Sequence, residues 1–204
     1  MSNNEPSTEK LILEAAEAEF LEKGYAGAKM LSIAKRANVS HSMLHYYYRS
    51  KENLFQQIFQ RKVQIVSAFM KDILVQNNSF TEIIRNLVET HFDFIAQNPK
   101  LPYFILTEIL SNTRNREAFL EIWLPNLLPS IPRFTVMLKK EIEQGRIRAI
   151  SVLDLLLNII SINVMTFIAT PILQESISDP KVLQDFQSAR KESNARFILA
   201  SLRP

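Results

Sequence analysis

An all-α fold is what this 204-residue sequence predicts, and three observations carry the prediction. Only three glycines occur, Gly24, Gly27 and Gly145, too few for the turns of a hairpin-rich sheet protein. No proline falls between Pro6 and Pro99, so several helices can run unbroken there. Apolar side chains recur at helical spacing rather than in alternation. The expected arrangement is a three-helix N-terminal unit over residues 1–50 and a larger helical domain over 51–204, about nine helices in all.

The first helix starts at Ser7 or Thr8, natural N-caps. It carries Leu11, Ile12, Ala15, Ala16, Ala18 and Phe20 at helical spacing and ends at Gly24. A short second helix is expected from Leu31 to Ala37. Asn38 then takes a turn position that demands a left-handed backbone, which asparagine tolerates better than most side chains. Ser40 caps a third helix through Tyr48, and Ser50 caps a fourth that continues to about Val75. Further helices are expected at about 80–97, 99–112, 115–124 and 132–144. Pro125, Pro129 and Pro132 should break or kink the chain between the last two of these. A long apolar helix follows from about 151 to 170. Asp179 and Pro180 form a cap and first turn for the final helix, which runs to about Leu202.

Composition excludes several classes of function. Without cysteine the chain has no disulfide, no thiolate metal site and no thiol switch. There is no glycine-rich phosphate loop, and the three histidines lack metal-ligand spacing. Acidic pairs such as Glu17 with Glu19, or Glu141 with Glu143, are two residues apart and diverge on a helix, as solvated charges do. No catalytic residue, metal or cofactor is therefore expected, and the chain does not read as an enzyme. The polar stretch MSNNEPSTEK lacks the apolar core of a signal peptide, so a cytoplasmic protein is expected. Leu155 to Leu173 is uncharged and close to the length of a membrane span. Asp154, Asn158 and Ser161 give it one polar stripe, and Asn163, Thr166 and Thr170 give it another roughly opposite. A lipid-facing helix rarely carries both, so this segment is expected in a soluble bundle, buried on most faces, with no membrane partner.

Charge distribution is more informative than the net charge of +3. From Lys23 to Lys51 lie Lys29, Lys35, Arg36 and Arg49, two histidines and no acid, a candidate surface for a polyanion. Within it, the run NVSHSMLHYYYRSKENL, residues 38–54, sets three tyrosines side by side. Successive helical residues point about 100° apart, so all three cannot be buried. Leu44 and Tyr48 share an inward face, which turns Tyr46 and Tyr47 outward. Two short helices around a tight turn, with Ala34 at their crossing, fit a helix-turn-helix. His41, Ser42 and Met43 then occupy the helix N-terminus that reaches base edges. Tyr46 and Tyr47 suit phosphates, sugars and thymine methyl groups. Lys51, in the next helix's first turn, suits a phosphate.

Glu9 to Phe55 resembles the N-terminal domain of the tetracycline-repressor (TetR) family of transcriptional regulators. The pieces that match are AEAEFLEKGY, IAKRANVS, LHYYY and SKENL, in that order and spacing. Some positions depart from the family pattern. Ala28, Lys29 and Met30 stand where threonine or serine is common, with the Lys29 charge in place of a hydroxyl contact to phosphate. Asn38 replaces a turn glycine, Met43 a common threonine and His45 a common tyrosine. These departures bear on the operator sequence rather than on the role. The resemblance implies a DNA-binding set of Lys29, His41, Ser42, Met43, His45, Tyr46, Tyr47 and Lys51.

The resemblance further implies a ligand-responsive regulator, a repressor more readily than an activator, that binds a pseudo-palindromic operator as a homodimer. The dimer would form through residues 151–202. In the last helix Val182, Phe186, Ala189 and Ser193 follow near-heptad spacing, with Phe197 and Ala200 beyond, although an internal core helix would show the same pattern. The middle helices would hold a small apolar or aromatic effector, with His91, Tyr103, Trp123, Asn163 and Thr166 as candidate contacts. Effector binding would tilt the fourth helix and move the recognition helices out of groove register. The alternative is a helical small-molecule-binding or interaction module without DNA binding.

Overall fold

A computed structural model of the protein describes residues 7–74 and 79–204, with side chains throughout except those of 69–74 and 187. Among these residues the structure is all helical. The elements are α1 (Thr8–Gly27), α2 (Met30–Arg36), α3 (His41–Tyr48), α4 (Lys51–Leu74), α5 (Phe80–Gln97), α6 (Leu101–Ser111), α7 (Thr113–Leu127), a 3-10 turn (Leu128–Ser130), α8 (Ile131–Glu143), α9 (Val152–Ser176) and α10 (Pro180–Ser201). The end expected for the fourth helix near Val75 lies outside the described residues.

Local chemistry starts and stops these helices. Ser7, Ser40, Ser50 and Asp179 each accept a hydrogen bond from a first-turn backbone N–H, those of Lys10, Met43, Asn53 and Lys181. Gly24, at φ 64° and ψ 179°, breaks α1 where the sequence placed its end, although helical geometry resumes to Gly27. Asn38 adopts φ 54°, the left-handed turn expected of it. Prolines were less disruptive than expected. Pro125 lies within α7, while Pro129 and Pro132 occupy the first turns of the next elements, where a missing N–H costs nothing. Likewise α9 runs through Pro171 to Ser176 rather than ending at Thr170.

The chain divides into two compact units. The first joins Met1–Ile65 to Tyr103–Ile122, so parts of α6 and α7 belong with the N-terminal helices and the contacts draw no boundary at residue 50. Its core is aromatic. Phe55, 1% exposed, meets Phe20, Tyr25, Phe59 and Phe104 at ring-centroid distances of 4.9–6.0 Å. Ile12 of α1, Ile33 of α2 and Leu44 of α3 are completely buried. Glu19 is not a solvated charge. It is 1% exposed, 2.8 Å from the Lys23 ammonium and 4.0 Å from the Arg36 guanidinium, because its position on α1 faces the other helices of the unit. Burying the carboxylate is tolerable only with those partners.

The second unit, Val66–Pro102 with Trp123–Pro204, packs α5, α8, α9 and α10 around Ile83, Ile84, Leu87, Leu138, Ile159 and Ile198. Only one face of α9 is buried, through Leu155, Leu156, Ile159, Asn163 and Thr166. Leu153, Leu157, Met165 and Ile172 on the other side are all more than half exposed, where burial on most faces was expected. By length and composition α9 could cross a membrane, but its inner face packs against α5, α8 and α10 and carries two hydrogen-bonded polar side chains.

Candidate nucleic-acid interface

The candidate recognition element is α3, eight residues held by its own caps. Ser40 Oγ accepts from the Met43 N–H at 3.1 Å, and the Arg49 N–H closes the other end on the His45 carbonyl at 2.8 Å. Leu44 and Tyr48 point into the core at 0% and 4% exposed. The other residues of the helix point out: His41, Ser42, Met43, His45, Tyr46 and Tyr47 are exposed, Tyr46 by 82%. The six predicted residues of α3 are therefore all open to solvent. Tyr46 and Tyr47 meet edge to face at 5.6 Å, and the His41 and His45 rings do so at 4.5 Å. Burial, with the nearby Glu9 charge next in size, pushes the Tyr48 phenol up to about 12, so it stays protonated.

Of the basic residues from Lys23 to Lys51, two are spent internally, since Lys23 pairs with Glu19 and Arg36 with Glu22. Lys29, Lys35 and Arg49 are exposed. Arg49 was not among the predicted contacts, and its backbone singles it out. It sits at φ 55° and ψ −43°, a conformation that costs a residue with a side chain on the order of 1–3 kcal/mol. The corner is held by His45, whose Nδ1–H donates to the Arg49 carbonyl at 3.0 Å.

Lys51 is fixed from behind. Its ammonium lies 4.6 Å from the centroid of the Tyr25 ring and 3.4 Å from the Ala26 carbonyl. Tyr25 is anchored in turn at both ends. Its hydroxyl bonds to Glu52, which is the main reason its pKa is raised, and its backbone N–H donates to Glu108 Oε1 at 3.0 Å. Glu108 is 5% exposed and also accepts from Asn115 Nδ2 at 3.1 Å. A cluster joining the α1 break, the start of α4, α6 and α7 thus positions Lys51. Its one sequence signal is an acid in the middle of the apolar run LPYFILTEIL.

Among the candidate effector contacts the structure brings His91 and Asn163 together. Asn163, fully buried, donates to the Val88 carbonyl at 2.8 Å and lies 3.2 Å from His91 Nδ1. Its own oxygen accepts from Asn194 Nδ2 at 2.9 Å, so its amide faces His91 as a donor and the ring proton sits on Nε2. Burial pushes the His91 pKa down to about 4, which keeps the ring neutral at physiological pH. Thr166 is buried one turn on, its hydroxyl bonded to the Ile162 carbonyl. Trp123 packs against the core of the second unit, whereas Tyr103 is 65% exposed and belongs to the first.

The lowered His91 pKa has a sign. Above 6.5 the ring is neutral folded or unfolded; as pH falls from 6.5 towards 4 the unfolded chain takes up a proton that the folded one refuses. Stability is therefore present above pH 6.5 and lost across that window. His91→Gln should flatten the loss by on the order of 1–3 kcal/mol, read from denaturant melts at pH 7 and pH 4.5.

Residues 12–58 match the family described as bacterial regulatory proteins, tetR family. The helix-turn-helix domain is that of the TetR family. Curated relatives agree. The chain is 34% identical over 87 residues to the HTH-type transcriptional activator FasR of Mycolicibacterium smegmatis, across 43% of this chain and 40% of that protein. It is 30% identical over 95 residues to the HTH-type transcriptional repressor SCO4008 of Streptomyces coelicolor, across 47% and 46%. The matches thus span about half or less of either chain in these relatives. In fold the likeness extends over nearly the whole chain: the crystal structure of the regulator FadR from Bacillus subtilis, in complex with stearoyl-CoA, covers 95% of this chain and 98% of its own at a TM-score of 0.65 and 20% identity. The TetR-family domain accounts for α1–α3 and the start of α4; Glu108 and Asn115, which reach it from α6 and α7, lie outside the matched segment.

Proposed function

We propose that this protein is a ligand-responsive transcriptional regulator, a repressor, that binds a two-fold symmetric DNA operator as a homodimer and is released by a small apolar or aromatic effector. The observation that carries the reading is α3 itself. It buries Leu44 and Tyr48 and turns six polar, aromatic or sulfur-bearing side chains outward, with Lys29, Lys35 and Arg49 nearby in sequence and unpaired among the described residues. Lys29 and Lys51 contact phosphates, Tyr46 and Tyr47 contact phosphate, sugar and thymine methyl groups, and His41, Ser42, Met43 and His45 read base edges.

A dimer is supported by what α9 and α10 leave uncovered. Of the near-heptad pattern Val182, Ala189, Phe197 and Ala200 are exposed on α10 while Phe186 and Ser193 are half-buried, which leaves much of it for a partner. Phe197, with Met165, Ala169, Leu173 and Phe186, borders a largely apolar groove of about 570 Å³ that also carries Arg148 and Arg190. Pairing there in a four-helix seam would set two recognition helices in successive major grooves about 34–36 Å apart. For the effector, the neutral His91–Asn163 pair and Thr166 bring no charge to this part of the second unit, their hydrogen bonds being made within the chain. Such surroundings favour an apolar ligand portion; FadR, of the same fold, is described in complex with stearoyl-CoA, whose acyl chain is apolar although its CoA part is charged. The effector would act by favouring a tilt of α4, and a coupling of about 1–3 kcal/mol corresponds to a change in operator affinity of roughly 5–150-fold. With these roles the protein works in the cytoplasm and catalyses nothing.

Lys51→Ala tests the phosphate contact. It should weaken binding to specific and random duplexes alike and lower the slope of log affinity against log salt by about 1. An unchanged slope would remove Lys51 from the interface. His41→Ala or Tyr46→Ala should instead change which base pairs are preferred, as read by binding to a panel of operator variants.

A further inference from the structure

The end of α3, the start of α4 and the first turn of α7 border a notch of about 410 Å³, all within the first compact unit and lined by Tyr47, Arg49, Asn53, Gln56, Gln57 and Arg114. Its lining is rich in donors: two guanidiniums and three amides. The carboxylate beside it, Glu52, is already engaged, accepting from Arg114 Nη1 at 3.2 Å and from Gln56 Nε2 at 3.1 Å. Gln56 also donates to Asn115 Oδ1 at 2.9 Å, which fixes it as the floor. Arg49 has no carboxylate partner among the described residues. A second observation is independent of the cavity. The corner that carries Arg49 has a positive φ that glycine accepts freely, yet it holds an arginine. A strained backbone under a charged side chain marks a position kept for what the side chain does.

We propose that this notch binds a phosphoryl group, with Arg49 and Arg114 as the cationic clamps and Asn53 and Gln57 as neutral donors. Planar guanidinium forks match phosphate oxygens in geometry as well as charge. The volume lies at the small end of ligand sites and suits an anion of one or two phosphoryl groups. An occupant would tie the first turn of α7 to the corner between α3 and α4, and so hold the recognition helix in one orientation. The phosphoryl group belongs either to a free small anion or to the DNA backbone flanking the half-site. Only the second source rests on the DNA-binding reading.

Two measurements on the full chain separate these sources. Inorganic pyrophosphate is titrated calorimetrically, in phosphate-free buffer, into wild type, Arg49→Gly, Arg114→Gln and the control Arg116→Gln. Arg116 instead bonds the Ile109 carbonyl and Thr113. The salt dependence of binding to a duplex is then measured for the same four proteins. Pyrophosphate binding that falls at least tenfold in both notch variants but not in the control, with unchanged salt slopes, assigns the site to a free anion. Salt slopes lowered by about 1 in each notch variant assign it to the DNA backbone. Arg49→Gly should melt higher than wild type, so its losses do not reflect misfolding. If neither pyrophosphate affinity nor salt slope responds to Arg49 or Arg114, the site does not exist. If wild type binds no DNA, the regulator reading fails while the calorimetric arm still decides the notch.

Discussion

Phe197→Asp should yield a folded monomer whose operator affinity is about 10²- to 10⁴-fold lower than that of wild type, the loss expected when two linked half-site contacts become independent. Phe197 is 63% exposed on α10 in the single chain, so the substitution removes little packing, and stability should change by about 0.5 kcal/mol or less. In the dimer the same position would bury a carboxylate in an apolar seam bordered by Met165, Leu173 and Phe186. Sedimentation, thermal melting and operator titration on one preparation separate the three effects. A variant that stayed dimeric would place the subunit contact elsewhere.

Phe55→Ala should destabilise the first unit by about 3–5 kcal/mol and abolish DNA binding at 37 °C. Phe55 is the ring on which α1, α4 and α6 converge, through Phe20 at 5.1 Å, Phe59 at 5.8 Å and Phe104 at 6.0 Å. It also packs against Tyr25 at 4.9 Å, the residue behind Lys51. Removing it leaves a cavity that four aromatic neighbours cannot close without displacing the turn that positions Lys51. Denaturant melts followed by tyrosine fluorescence would give the loss, and Phe55→Leu, which keeps much of the volume, should recover more than half of it. A loss below about 1 kcal/mol would show that the aromatic cluster is not what holds the unit together.

Features governed by short-range chemistry were legible in the sequence. Ser7, Ser40, Ser50 and Asp179 cap helices because each needs only a hydroxyl or carboxylate beside a first turn, and Asn38 takes its left-handed turn for an equally local reason. The outward set of α3 follows from periodicity once Leu44 and Tyr48 are assigned inward. What was not legible depends on partners far along the chain. Glu108 meets the Tyr25 N–H across 83 residues, and no pattern around either residue announces the other. Glu19 reads as one more surface acid until Arg36 is brought beside it. The two helices that absorb Pro125 and Pro171 were cut short because proline is a strong local breaker, yet tertiary packing outweighed it. Arg49 was passed over because nothing in the letters RSK signals a positive φ. Tyr103 joined the candidate effector contacts on aromatic character alone, and the structure leaves it 65% exposed.

Selection of DNA on the purified protein tests the central claim most directly. A randomised double-stranded pool is bound at moderate salt, and the retained duplexes are sequenced, with Tyr46→Ala run in parallel. One enriched motif with two-fold symmetry, its half-sites about one helical turn apart and altered in Tyr46→Ala, is the predicted result. A pool left without any enriched sequence, by protein stripped of small molecules through unfolding and refolding, would contradict the account and leave α3 to serve some other partner.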